Sequence, residues 1–186
     1  MYKLQGRTEE AEPLYIQAMA LRQELLGDSH HEVAISFNNL AEFYSLQERY
    51  EEAEPLFKQA IAVYQKLYGD KHLLLATSQN NLANLYRSQR RCEEAEFLYK
   101  QAIASRQELL GDLHPDFATN LNDLAVLYES QRRYAEAEPL FKKALNSSEQ
   151  RLGIDHPTTQ AFRKNYEICL ENKKSKTKSP KNKGFG

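Results

Sequence analysis

Residues 70–111 read DKHLLLATSQNNLANLYRSQRRCEEAEFLYKQAIASRQELLG, and the whole pattern returns along the chain. Gly111 stands 42 residues after Gly69, as Gly69 does after Gly27 and Gly153 after Gly111. His30, His72, His114 and His156 keep that step, as do Leu40, Leu82 and Leu124, then Ala41, Ala83 and Ala125, then Tyr44, Tyr86 and Tyr128. The second half of the unit is copied too. Ala11, Ala53, Ala95 and Ala137 precede Leu14, Leu56, Leu98 and Leu140, then the aromatics Tyr15, Phe57, Tyr99 and Phe141, then Ala18, Ala60, Ala102 and Ala144. Self-similarity at one fixed period means a single supersecondary unit repeated along the chain.

Inside a unit the apolar spacing is helical. Ala34, Phe37, Leu40, Ala41 and Tyr44 recur at steps of three and four, which predicts a first helix, A. After a polar turn at Gln47 to Tyr50, residues Ala53, Leu56, Phe57, Ala60, Ile61, Tyr64, Leu67 and Tyr68 keep the same period and predict a longer second helix, B. Gly69 follows the last apolar pair, where a left-handed C-terminal cap favours a residue without a side chain. Pro115 and Pro157 follow His114 and His156 at the first helical position. Pro13, Pro55 and Pro139 fall inside the B helices near their starts, and Phe97 holds that position in the third copy.

Seven Gly and six Pro in 186 residues are too few for a loop-rich or collagenous chain, and 41% hydrophobic residues are too many for a disordered one. The net charge is -1, but the last fourteen residues hold six Lys and no acid, so the rest of the chain carries -7. No apolar run approaches the roughly 20 residues that span a bilayer, and no signal pattern opens the chain, so a cytoplasmic protein is expected. Cys92 and Cys169 are too few for a disulfide framework and lie in no metal-ligand spacing.

The alternation of small and large residues in Leu40-Ala41-Tyr44 and Ala53-Phe57-Ala60 resembles the tetratricopeptide repeat. That repeat has a unit of about 34 residues. A longer B helix and a Leu-Gly-Asp-Xaa-His-Pro connection resemble the 42-residue kinesin light chain type, and NNLANLY (80–86), EAEPLF (52–57) and GDLHP (111–115) are similar to its consensus. The glutamate-rich EAEPLF form looks closer to bacterial arrays than to a motor subunit. The resemblance implies an all-α, right-handed superhelical solenoid of antiparallel helix pairs, about eight helices in all. Its expected divisions are a half repeat over 1–27, full repeats over 28–69, 70–111 and 112–153, a terminal helix over 154–172, and a disordered Lys-rich tail over 173–186.

Two ends are read differently. Arg163, Lys164, Tyr166 and Glu167 replace Leu121, Asn122, Leu124 and Ala125, as in a polar capping helix. Tyr2, Gln5 and Arg7 match Tyr44, Gln47 and Arg49, the end of an A helix whose start is missing. The apolar face of the first B helix (Leu14, Ala18, Leu21, Leu25) is therefore expected either to reflect truncation or to take another chain, including a homo-oligomeric partner.

Solenoids of this kind bind partners along a concave face lined by A helices, as the resemblance implies. A ladder of polar residues marks that face: Asn38 and Asn39, Asn80 and Asn81, then Asn122 and Asp123. Asn is a mediocre helix former, so its recurrence in mid-helix needs a reason. Its amide offers two donors and an acceptor, which suits the backbone of an extended peptide. In the family the position of Asn39 and Asn81 is a peptide-contacting one. The alternative is that these amides bond to neighbouring helices and hold the repeats in register. Beyond the ladder the chemistry varies: Glu42, Asn84 and Val126, then Ser45, Arg87 and Glu129. Asn81, Asn84 and Arg87 are predicted to form a pocket for a carboxylate or carbonyl, with Lys164 and Asn165 a weaker second one; alternatively Arg87 pairs with a nearby Glu.

No catalytic motif emerges: there is no Gly-rich phosphate loop, no GxSxG and no HExxH. Histidines one repeat apart cannot share a metal ion and are expected to cap helices or to pack in the connecting loops. Glu51, Glu52, Glu54 and their copies are read as solvated helix faces. A non-enzymatic scaffold without metal or cofactor is expected, binding a protein or peptide ligand. The alternatives are an assembly module docking through the N-terminal edge and a kinesin light chain-like cargo adaptor. Nucleic acid is not an expected partner, because the basic tail lacks interleaved aromatics.

Overall fold

The computed structural model describes residues 8–178, with side chains over 10–176. Among these are eight helices: α1 (Thr8–Leu26), α2 (His31–Ser45), α3 (Tyr50–Tyr68), α4 (Leu73–Ser88), α5 (Cys92–Leu110), α6 (Pro115–Ser130), α7 (Tyr134–Leu152) and α8 (Pro157–Lys178). The even-numbered helices are the A helices and the odd-numbered ones the B helices of the repeat. The chain divides into two compact units, Met1–Ser105 and Arg106–Gly186, with the division inside α5.

The helix ends follow from a few repeated residues. His30, His72 and His114 sit in extended backbone, and each accepts on Nδ1 from the backbone N–H two residues on, at 3.2, 3.2 and 3.1 Å. His156 does the same for Thr158 at 3.2 Å. One of the unsatisfied donors at each A-helix start is thereby met by imidazole rather than the usual Ser or Asp. At the other end Gly69 has φ 75° and ψ −167°. This is not the left-handed helical cap expected from the sequence but the mirror-extended region, which is still more restricted to glycine. The tight turn from A to B is made by Glu48, Arg90 and Arg132, non-glycine residues at φ 60°, 61° and 60°.

In the first unit, Val33, Ala34 and Phe37 of α2 pack with Ala60 and Tyr64 of α3 and Leu75 of α4. The alanines allow close helix approach while the aromatics fill the space between; burying one such aromatic contributes roughly 1.5–3 kcal/mol. In the second unit Phe117, Leu121 and Ala125 of α6, Ala137, Phe141 and Ala144 of α7, and Phe162 and Cys169 of α8 are buried. Burial raises the Cys169 thiol pKa. Cys92 is half-buried at the start of α5.

The last helix needs a correction. It continues through residues 173–178, six beyond the expected end. Lys173 Nζ lies 2.5 Å from Glu138 Oε2 of α7, Asn172 Nδ2 donates to Glu129 Oε1 of α6 at 2.7 Å, and no Gly or Pro intervenes before Pro180. Tyr2, Gln5, Arg7, Lys181 and Lys183 lie outside the described residues.

Candidate functional site

The ladder residues divide by burial. On α2, Asn39 is exposed, whereas Asn38 is half-buried and its Oδ1 has no hydrogen-bond partner among the described residues. On α4, which touches α2, Asn80 is buried and Asn81 half-buried. Neither Asn39 nor Asn81 makes a side-chain hydrogen bond among the described residues, so both primary amides remain available. Asn84 is partly engaged, since its Oδ1 accepts from the Tyr99 hydroxyl of α5 at 2.7 Å. Arg87, near the end of α4, is half-buried and makes no ion pair or hydrogen bond among the described residues. The alternative of a Glu partner for Arg87 is therefore not what the structure places there.

The second unit differs. Asn122 of α6 is buried, and its Oδ1 accepts from Asn165 Nδ2 of α8 at 3.0 Å. Here two candidate residues bond to each other across adjacent A helices. Asp123 is half-buried and Lys164 exposed. In the first unit, then, Asn39, Asn81 and Arg87 make no side-chain hydrogen bond or ion pair among the described residues.

A set of contacts missed in the sequence joins successive helix pairs in the first unit. Tyr86 and Arg91 flank the turn from α4 to α5, and both reach Glu54 of α3. Arg91 Nη1 lies 2.5 Å from Glu54 Oε2, the Tyr86 hydroxyl donates to Oε1 at 3.0 Å, and Lys58 Nζ adds a contact at 2.7 Å. The Arg91 guanidinium also covers the Tyr86 ring at 3.9 Å and holds Glu94 at 2.5 Å. One repeat earlier Arg49 covers Tyr44 at 4.3 Å and bonds Glu12 at 2.6 Å and Glu52. Reading Glu54 as a solvated residue is therefore corrected: its side chain is 19% exposed. Burial pushes its carboxyl up, but the bonds from Arg91, Lys58 and Tyr86 together outweigh that and bring it down to about 2. The Arg49 guanidinium likewise holds Glu12 and Glu52 below the usual carboxylate range. The signal was present in the period, since Arg49, Arg91 and Arg133 are 42 residues apart, but partners 37 residues apart are joined only by folding.

One buried cation belongs to the second unit. Arg106, 6% exposed, donates from Nη1 to Asn120 Oδ1 and to the Asp116 carbonyl at 3.2 Å, and burial lowers its pKa. It lies on α5 and fixes α6, a packing role.

Sequence comparison matches the tetratricopeptide repeat family over residues 1–66, 32–108 and 118–158. No curated protein matches the chain. Among solved structures, a variant of the Podosopora anserina "kinesin light chain nearly identical TPR-like repeats" superposes with a TM-score of 0.82 at 24% identity, covering 95% of this chain and 83% of that one. A second structure of those repeats gives a TM-score of 0.77 at 24% identity, covering 96% and 92%. BtubC (BKLC) from P. vanneervenii gives 0.76 at 24% identity, covering 100% of this chain and 80% of that one. At this identity the structures share the solenoid fold, and they carry the kinesin light chain form of the repeat. That fold is the scaffold of a non-enzymatic, protein-binding family, and among the described residues no helix is long and apolar enough to cross a membrane. The chain belongs to the tetratricopeptide repeat family.

Proposed function

We propose that the protein is a scaffold whose first unit holds an extended peptide of a partner protein across the A helices, with Asn39 and Asn81 bonding the peptide backbone and Arg87 pairing with a carboxylate on it. The observation that supports this most is Arg87, a half-buried guanidinium with no ion pair among the described residues, six residues beyond Asn81 on α4. A planar fork left in this state suits bidentate capture of a carboxylate. The two amides supply donors and acceptors without demanding a particular side chain. Asp123, Asn122, Lys164 and Asn165 belong to the second unit, where the Asn122–Asn165 bond favours a role in register.

The test is selection of a random dodecapeptide library on the immobilised full chain. Acidic peptides are expected, and their binding is expected to fall on Arg87→Ala and to vanish on Asn39→Ala plus Asn81→Ala. Peptides indifferent to all three substitutions would overturn the reading.

A second reading, assembly through α1, has its own observation. Ala18 is exposed, while its copies Ala60, Ala102 and Ala144 are fully buried; Leu21 and Leu25 are 53% and 70% exposed. A helix face of this composition suits another helix. Light-scattering mass across a concentration range tests it: a dimer removed by Leu21→Glu supports it, and a monomer throughout overturns it.

A further inference from the structure

The position held by Pro13, Pro55 and Pro139 is held by Phe97 in α5. Three copies show that the repeat needs no aromatic side chain here, and the structure leaves this one 62% exposed. It stands beside a cleft of about 530 Å³ whose walls are Ile61 and Ala62 of α3 and Phe97 and Leu98 of α5, over Leu82 and Tyr86 of α4. This volume lies in the range of small ligand sites and accommodates one or two large apolar side chains. Neither Asn39, Asn81 nor Arg87 lines it.

The charges at the cleft specify what enters. Lys58 and Glu94 line it, but Glu54 holds Lys58 at 2.7 Å and Arg91 holds Glu94 at 2.5 Å. Glu93 lines it too and makes no ion pair or hydrogen bond among the described residues. The uncompensated charge is therefore negative, and a partner bringing an acid to this rim would meet repulsion.

We infer that the first unit carries a second protein-docking site, in which an apolar side chain of a partner segment inserts beside Phe97 while a Lys or Arg close to it in that segment pairs with Glu93. The anchor is an exposed aromatic residue beside a cleft; covering it with a partner segment, with charged residues at the rim, would give the arrangement in which a few residues carry most of the binding energy. The requirement for a basic partner is opposite to that of Arg87, so the two sites take different segments.

The test is the same random dodecapeptide library selected on the full chain, followed by binding to Phe97→Pro, Glu93→Lys and Arg87→Ala. Phe97→Pro installs the residue found in the other three copies, so the helical fold is kept, as circular dichroism and the melting curve verify. A class of peptides with an apolar residue next to Lys or Arg is expected, weakened about tenfold or more by Phe97→Pro and by Glu93→Lys and unaffected by Arg87→Ala. The inference is overturned if no selected peptide depends on Phe97, or if the dependent peptides are acidic. It is also overturned if light scattering shows that Phe97 mediates dimerisation of the chain, for then the occupant is a second copy.

Discussion

Arg91 of one repeat reaches back to Glu54 of the preceding one, with Nη1 2.5 Å from Oε2, while its guanidinium lies 3.9 Å above the Tyr86 ring. Arg49 makes the same reach to Glu12 and covers Tyr44. Charge, hydrogen bond and ring contact thus converge at each join between successive pairs in the first unit. The contacts tie α3 to the turn between α4 and α5, and α1 to the turn between α2 and α3.

Glu54 gives this join a pH dependence. Its folded-state pKa is about 2, below the ordinary value of 4.5, so the carboxylate stabilises the fold fully above pH 4.5 and loses that contribution as the pH falls through 2. Glu54→Gln is expected to lower stability by about 1.5–3 kcal/mol at pH 7, the scale of a charged hydrogen bond, with the difference from the parent shrinking as the pH falls toward 2. Urea unfolding of both proteins at pH 7, 4 and 2.5 measures it, and a gap independent of pH would contradict the charge-based origin.

Arg91→Lys keeps the charge but loses the planar fork and the ring contact. It is expected to cost about 1–2 kcal/mol, nearly as much as Arg91→Ala, because Lys cannot bond Glu54 and Glu94 together while covering Tyr86. Thermal melts of the two variants decide between this and full rescue by Lys.

Gly69→Ala isolates backbone strain. A Cβ built at Gly69 would have nothing within 4 Å, so any loss of stability comes from forcing alanine to φ 75° and ψ −167°. A cost of about 1–3 kcal/mol is expected from the urea midpoint, without change in helical content. A neutral substitution would mean that the turn relaxes to an ordinary conformation.

Most of the fold was legible because the repeat shows its own boundaries. Gly27, Gly69, Gly111 and Gly153 close helices, His30, His72 and His114 open them, and both roles depend on neighbours within four residues. Features joining distant residues were not legible. Glu54 reads as surface until Arg91 is placed on it, and the helix of residues 173–178 is hidden in a lysine-rich composition that the contacts of Lys173 to Glu138 and of the preceding Asn172 to Glu129 override. The Asn ladder lies between these cases. Period and residue type found its members, but burial separates Asn39 and Asn81 from Asn80 and Asn122, and that difference depends on packing.

That separation has a direct consequence for stability. Asn122→Ala removes a buried amide and leaves Asn165 without its acceptor, so a loss of about 1–3 kcal/mol is expected. Asn39→Ala disturbs no hydrogen bond and is expected to fall within about 0.5 kcal/mol of the parent. Equal losses at the two sites, measured by urea unfolding, would contradict the division of the ladder into structural and presented residues.

The measurement that bears most directly on the scaffold role is the affinity of an acidic peptide, selected from the random dodecapeptide library, for the parent chain and for Asn39→Ala plus Asn81→Ala, taken with the melting curve of each. Loss of binding with a melting transition shifted by no more than about 1 kcal/mol is the expected result. Unchanged binding, or a double variant that unfolds, would contradict the peptide-binding role of these two residues.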